Sequence, residues 1–462
     1  MIREDFFFPK SIAIVGASPE SEKGSARVLS SLLKHGYQGK IYPINPKYEV
    51  VEGLRCYPSL TNIPDNIDLA YITIPARLIF EILAECVAKK VSYVIIRSSG
   101  FAETGEEGKT KQKEIEEFLR KSNIRLMGPN SIGFVNAHER IVLYSHISLS
   151  TERLIRGHIG LISQSGGMSG AIFNLAQDKG IGFSYLISTG SESDLDTMDF
   201  IEYLIKDENT KVIAAFLEGL KDGKRFMSIA DLAAQKCKPL VIMKVGKTER
   251  GIKTAASHTG ALSGKNQIFE AAFKQRGVIR VESPDELYEI ANLFTITQLP
   301  NGDRVGIITS SGGTAVLMAD QSEELGLNLP YVSESTKQIL SGILPKYSTI
   351  SNPLDITGGL SEETFQKCLE VFGRDENLDL IVVATSTVGK KRSEERANHM
   401  VEVAKNLGKP LIGIWIGGSL VHPGPEILKK ESISSFQNYQ IGLKGVKALI
   451  EYNRFLKRHQ RI

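Results

Sequence analysis

His258 lies in the stretch Lys244-Val245-Gly246-Lys247-Thr248-Glu249-Arg250-Gly251-Ile252-Lys253-Thr254-Ala255-Ala256-Ser257-His258-Thr259-Gly260-Ala261-Leu262-Ser263-Gly264. These residues are too small and polar to bury a core, so the segment reads as a mobile loop that follows an apolar strand. An imidazole of ordinary pKa is largely neutral at pH 7 and available as a nucleophile. From Thr259 through Gly260 and Ala261 the chain reads as the start of a helix, where free N–H groups and the dipole favour a phosphate. A histidine on an arm beside an anion site is equipped to carry a phosphoryl group. A carboxylate on one ring nitrogen would fix the tautomer and leave the other free to attack. Glu218, at the end of a predicted strand over 212–217, is the candidate.

A second turn belongs to the same chemistry. Ser163-Gln164-Ser165-Gly166-Gly167-Met168-Ser169-Gly170 follows a strand and opens a helix. Its N–H groups at Gly166 and Gly167, with the Ser165 hydroxyl, can cradle phosphate or a phosphohistidine. No Gly-Lys-Ser/Thr closes it as in a Walker loop, and it lacks the first glycine of a hydrolase elbow.

The elements that must position these residues are short β-rich runs alternating with longer helical patterns, the signature of parallel sheets covered by helices. Strands are predicted at 11–15, 40–44, 69–74, 93–96 and 125–127, with helices at 26–34 and 78–89. This describes a nucleotide-fold domain over 1–145, and the polar stretch 138–157 reads as the connection to the next unit. The remainder repeats. Ile159-Gly160-Leu161-Ile162-Ser163-Gln164-Ser165-Gly166-Gly167 returns as Val305-Gly306-Ile307-Ile308-Thr309-Ser310-Ser311-Gly312-Gly313, and Lys238–Gly246 returns as Lys409–Gly417. Two doubly wound domains, 146–299 and 300–462, follow from this, with the boundary near 298–302. The copies differ: the strand matching 212–217 runs into Ser386 instead of Glu218. The third domain also has a shorter, proline-stiffened segment, Gly417 to Pro425, in place of the His258 arm. The middle copy reads as chemically equipped and the third as scaffold.

In the first domain Val15-Gly16-Ala17-Ser18 closes a strand, and Lys23-Gly24-Ser25 leads into a helix. Glycines here let backbone approach a phosphate. The second strand ends in Pro43-Ile44-Asn45-Pro46-Lys47, without the acid that binds an NAD ribose; Lys47 suits a phosphorylated ribose, so coenzyme A and NADP stay open as ligands. Loops containing Pro75, then Ser99 and Gly100, then Asn130 fall at further carboxyl strand ends, where open α/β sheets bind ligands.

Composition narrows the classes. The chain has 462 residues, 42% hydrophobic and 24% charged, with a net charge of +3. That gives no electrostatic case for nucleic acid. Four widely spaced cysteines without a CxxC pair fit reduced thiols better than disulfides or a metal site. The N-terminal run Phe6-Phe7-Phe8 follows two acids and is no signal peptide, and no apolar run is long enough to span a membrane. The expectation is a soluble, cytoplasmic protein.

Taken together, Ile14-Val15-Gly16-Ala17-Ser18, Tyr42-Pro43-Ile44-Asn45-Pro46, Gly128-Pro129-Asn130, Ser163-Gln164-Ser165-Gly166-Gly167 and Ser257-His258-Thr259-Gly260-Ala261 resemble the NDP-forming acyl-CoA synthetases, the superfamily of succinyl-CoA synthetase. Within it the chain is most similar to the α subunits of ADP-forming acetyl-CoA synthetases. The resemblance implies an α/β protein: a CoA-binding Rossmann-like domain followed by two flavodoxin-like ligase domains. It implies conversion of acyl-CoA, ADP and phosphate to carboxylic acid, CoA and ATP, through an acyl phosphate and phospho-His258 with Glu218 orienting the ring. Coenzyme A and phosphate would bind this chain. ADP/ATP and Mg²⁺ would bind an ATP-grasp β subunit, in an α2β2 heterotetramer, since no ATP-grasp pattern precedes Ile462. The resemblance also implies that the arm at 246–264 swings its phosphoryl group to that partner, spanning ~20 Å as a flexible coil. Ser131 stands where succinyl-CoA synthetases have a cysteine. The alternatives are a non-catalytic CoA-binding regulatory module, against which the His258 and Glu218 pair argues, and an NADP-dependent oxidoreductase, against which the absence of G-x-G-x-x-G argues.

Overall fold

Runs rich in Val, Ile and Leu that are buried on both faces form parallel sheets, because crossover helices cover both sides. The computed structural model describes residues 2–20, 24–149, 153–259 and 265–459, with backbone alone at 4 and 255–259. The chain divides into two compact units, Met1–Ala291 and Asn292–Ile462.

The first unit holds two sheets. One is all-parallel, in the order Lys40–Ile44, Ser11–Val15, Leu69–Ile72, Tyr93–Ile96, Arg125–Met127. Four of these strands have the limits read from the sequence, and the third stops at Ile72. The other sheet runs Ile279–Val281, Leu240–Lys244, Val212–Leu217, Arg156–Ser163, Phe183–Ser188 and then an antiparallel hairpin, Gly133–Asn136 with Ile141–Tyr144. The sequence reads 138–157 as connection, yet Ile141–Tyr144 is a strand and Ile147–Leu149 a 3-10 turn. A four-residue edge strand surrounded by polar residues carries too little periodicity to stand out. The hairpin, although it lies within 1–145, pairs with the sheet of the residues that follow.

The second unit has one parallel sheet, Leu354–Asp355, Val305–Thr309, Leu380–Thr385, Leu411–Trp415, Ser435–Phe436. Numbered along the chain within each sheet, the parallel strands run 2-1-3-4-5 in all three. Each sheet therefore has a crevice beyond the carboxyl ends of its first and third strands.

Both sheets of the first unit share a core through the N-terminus. Phe6 and Phe7 are fully buried. Phe6 meets Tyr93 of the first sheet at 5.1 Å and Phe134 of the hairpin at 5.4 Å between ring centroids, while Phe7 meets Tyr185 at 5.0 Å. Arg125 pairs with Asp194 at 2.9 Å across the same boundary. No helix of the described residues is long and apolar enough to cross a membrane.

Candidate active site

The Ser165 turn is built as a helix start. Ser165 is extended and caps the helix Gly166–Asp178, its hydroxyl accepting from the Met168 N–H at 3.4 Å. The Ser169 N–H goes to the Ser165 carbonyl at 3.0 Å. The N–H groups left to face outward in the first turn are those of Gly166 and Gly167. They border a cavity of about 250 Å³, whose other walls are Gln164, Glu218, the Gly190-Ser191 turn and the Asn130–Ile132 loop of the neighbouring sheet.

Gln164 is the brace of this site, and the sequence offers no sign of it beyond its place in the motif. Its Oε1 accepts from the backbone N–H of Glu218 (2.6 Å) and of Gly219 (3.1 Å), while its Nε2 donates to Gly219 O (3.0 Å) and Glu192 Oε1 (3.2 Å). One side chain thus ties the first strand of the sheet to the end of the third, where half-buried Glu218 sits. Glu192 is buried, and the same Oε1 also accepts from Thr189 Oγ1 (2.9 Å), Thr197 N (3.1 Å) and Thr197 Oγ1 (2.6 Å). Glu192 thereby braces the turn over 188–194 that faces Ser165 across the cavity.

Lys244 ends the strand before the arm, and nothing in its local sequence marks it out. It is 2% exposed, with its ammonium over the Phe269 ring at 4.8 Å and donating to the Glu218 carbonyl at 2.9 Å and to the Val245 carbonyl. Burial above all, and the charge of Arg280 next, bring its pKa down to about 8, against the opposing pull of Glu218. A cation is therefore seated beneath both Glu218 and the root of the arm.

The arm itself differs from expectation. Glu249–Thr259 is a helix, not a loop. The Thr248 hydroxyl accepts from the Gly251 N–H at 3.1 Å, as an N-cap does, and Ala255-Ala256 are strong helix formers. Eleven helical residues span only about 16 Å at 1.5 Å each. His258 lies in this helix by its backbone, and its side chain is outside the described residues. Gly260 and Ala261 are also outside them, as is Lys23; the next described helix is Asn266–Arg276.

The first-sheet residues gather at one edge. Gly16 has φ +85°, and a Cβ there would stand 2.8 Å from the Thr73 carbonyl, so backbone passes backbone at the crevice between the first and third strands. Ala17 and Ser18 are buried behind it, and Ser18 Oγ accepts from Glu20 N at 3.2 Å. Asn45 works internally, donating to Ala17 O at 2.7 Å and accepting from Lys47 N at 3.0 Å; Lys47 is exposed. Pro75 precedes the 3-10 turn Ala76–Leu78, Ser99 is exposed, and Gly100 (φ +105°) donates to Glu103 Oε1 at 2.6 Å. Arg97 lies across the helix start at Gly24, where a Cβ would meet its Nε at 2.9 Å. It adds a cation from the loop that also carries Ser99 and Gly100. Asn130 alone of these residues also borders the 250 Å³ cavity. Ser131 is buried, its hydroxyl donating to Ser188 O at 2.5 Å and accepting from Gly133 N at 3.1 Å.

The repeat copy in the second unit is arranged differently. Ser311 caps Gly312–Leu325 in the same way. There, however, a Cβ on Gly312 would lie 3.2 Å from Asp355 Oδ2, and buried Arg396, paired with Glu362 at 2.8 Å, donates to Ser310 Oγ at 2.8 Å. That turn is held by the protein's own charged groups.

Comparison with known proteins agrees with this layout. Residues 10–137 match the CoA binding domain model, 156–294 the succinyl-CoA ligase like flavodoxin domain, and 305–440 the ligase-CoA domain. The chain is 36% identical to the α subunit of acetate–CoA ligase [ADP-forming] II of Pyrococcus furiosus, covering 97% of each. It is 34% identical to acetate–CoA ligase [ADP-forming] I of Archaeoglobus fulgidus, aligning 98% of this chain with 64% of that protein. Among solved structures, the dinucleotide forming acetyl-coenzyme A synthetase 1 of Ca. Korarchaeum cryptofilum, in complex with phosphate and ADP, superposes with a TM-score of 0.89 at 29% identity, covering 98% of this chain and 97% of that one.

Proposed function

The chain belongs to the ADP-forming acetate–CoA ligases, and from that premise we propose that it is their α subunit, converting acyl-CoA and phosphate to a carboxylic acid and CoA while passing a phosphoryl group onward. CoA lies along the carboxyl edge of the first sheet, its phosphates facing Arg97 and the helix start at Gly24. Phosphate sits on the N–H groups of Gly166 and Gly167. A phosphate oxygen attacks the thioester carbonyl, the C–S bond breaks, and the proton of the hydrogen phosphate passes to the departing sulfur, so that CoA leaves as the thiol. A ring nitrogen of His258 then attacks phosphorus, the acyl–oxygen–phosphorus bond opens at phosphorus, and the carboxylate departs. Glu218 holds the other ring nitrogen, and the helix start stabilises the charge that develops. Phospho-His258 delivers its phosphoryl group to ADP on a separate ATP-grasp subunit that also holds Mg²⁺, in a cytoplasmic α2β2 assembly.

What supports this reading most is that the Ser165 helix start and Glu218 bound a single cavity and are tied to each other by Gln164. For the partner, support comes from the α-subunit relative and from the Archaeoglobus protein, which extends beyond the aligned region. The experiment is His258→Asn in the chain assembled with its partner. ATP formation from acetyl-CoA, ADP and phosphate falls by at least about 10³-fold, as for loss of a covalent nucleophile. Calorimetric CoA affinity stays within about twofold. Normal turnover by the variant would overturn the reading.

A further inference from the structure

The cavity beside the Ser165 turn is almost wholly polar. Among its described lining side chains, Asn130, Gln164, Ser165, Ser191 and Glu218 are polar, the glycines have none, and Ile132 is the single apolar one. That isoleucine lies directly over the helix start: a Cβ on Gly166 would be 3.2 Å from Ile132 Cγ2 and 3.4 Å from its Cδ1 and Cγ1. It is also fixed. Its carbonyl accepts from Ser145 N at 2.9 Å and from the buried Tyr71 hydroxyl at 3.3 Å, and the preceding Ser131 is anchored to Ser188 O. A β-branched side chain on so restrained a backbone has little freedom to turn aside.

Resting on the ligase reading above, we infer that Ile132 is the residue that sets the size of the acyl group. Phosphate on the Gly166 and Gly167 N–H groups must come to about 3 Å from the acyl carbonyl to attack it. The substituent on that carbonyl then meets the side chain standing over Gly166. Polar walls offer an alkyl group no favourable burial, so its preferred contact is Ile132, and the space left before Ile132 limits its length and branching. The chain is accordingly a ligase for short, unbranched carboxylic acids, and the limit is removable.

The test uses the assembled enzyme and compares kcat/KM for acetyl-CoA and isovaleryl-CoA in wild type, Ile132→Ala and Ile132→Phe. With Ile132 as the one apolar wall among the described residues, a methylene-sized change there is worth the low end of the range for apolar contacts, about tenfold in discrimination. Ile132→Ala therefore raises the isovaleryl-to-acetyl ratio by at least about tenfold, and Ile132→Phe lowers it. Ile132→Val shifts the ratio in the direction of Ala to a smaller degree, and serves where the Ala variant does not fold. An unchanged ratio in active variants overturns the assignment of Ile132 and leaves the ligase reading intact. A wild-type assembly that makes ATP from neither thioester overturns the ligase reading, and this inference with it.

Discussion

At the scale of single residues, the proposed site is held together by side chains that take no chemical step in the proposed reaction. Gln164 holds the backbone of Glu218 with its carbonyl oxygen, and Lys244 holds the carbonyl of the same residue from below. Lys244 has a testable signature. Its folded pKa of about 8 lies under the 10.5 of an exposed lysine, because burial penalises the ammonium. Between those values the unfolded chain binds more protons than the folded one, so stability from this group rises with pH. It is fully present above the unfolded value and lost as pH falls through about 8. Urea unfolding of wild type and Lys244→Met is expected to show a difference that moves in favour of wild type between about pH 8 and 10.5. The difference should be flat from pH 6 to 7; a flat difference across the whole range would mean that Lys244 ionises normally in the fold.

At the scale of elements, the cavity exists because two turns from different sheets come within backbone contact. Ser191 N donates to Pro129 O at 2.8 Å and Ser193 N to Gly128 O at 2.9 Å, so residues 191–193 run along the loop that ends in Asn130. Gly190 makes the approach feasible: its φ is +67°, and a Cβ would stand 2.2 Å from the Pro129 carbonyl oxygen. Gly190→Ala must therefore push the two turns apart as well as strain the backbone. The expected result is a loss of at least about tenfold in kcat/KM for acetyl-CoA, since misplacements near 1 Å are costly to an aligned reaction. CoA affinity measured by calorimetry should change little, because the loops at Gly16 and Arg97 are untouched. The arm is an element of a different kind. It is a helix capped by Thr248, two residues after Gly246, whose φ is +72°, and the proposed phosphoryl transfer requires that it move as one body.

At the scale of the first unit, the turns that line the cavity keep their spacing only if the two sheets stay fixed to each other. Phe6 and Phe7 supply much of that fixation, packing against Tyr93 on one side and Phe134 and Tyr185 on the other. Phe7→Ala leaves a cavity at the junction, which costs about 3–5 kcal/mol for a buried phenylalanine. Denaturant unfolding of the variant should show that loss, together with reduced kcat/KM. An effect under about 1 kcal/mol would show that the aromatic cluster is not what joins the sheets.

The sheets, the repeat and the positions of the Ser165 turn and Glu218 are all legible along the chain. Parallel strands buried on both faces are continuous apolar runs, and a helix start after a strand has its own signature in Ser-Gly-Gly. Gln164, Glu192 and Lys244 do not stand out as parts of the site, because a buried polar side chain is defined by partners distant in sequence. The His258 segment reads as a loop for a related reason: its local composition is ambiguous, and Thr248 capping tips it to helix. Nor does local pattern reveal that the hairpin Gly133–Asn136 and Ile141–Tyr144 joins the second sheet, or that Phe6-Phe7 is a core and not a tail. Pattern along a chain records which face a residue turns to the core. Which other segment it meets there is settled by folding, and in this protein the meeting of the Asn130–Ile132 loop with the Ser165 turn is what makes a cavity of a helix start.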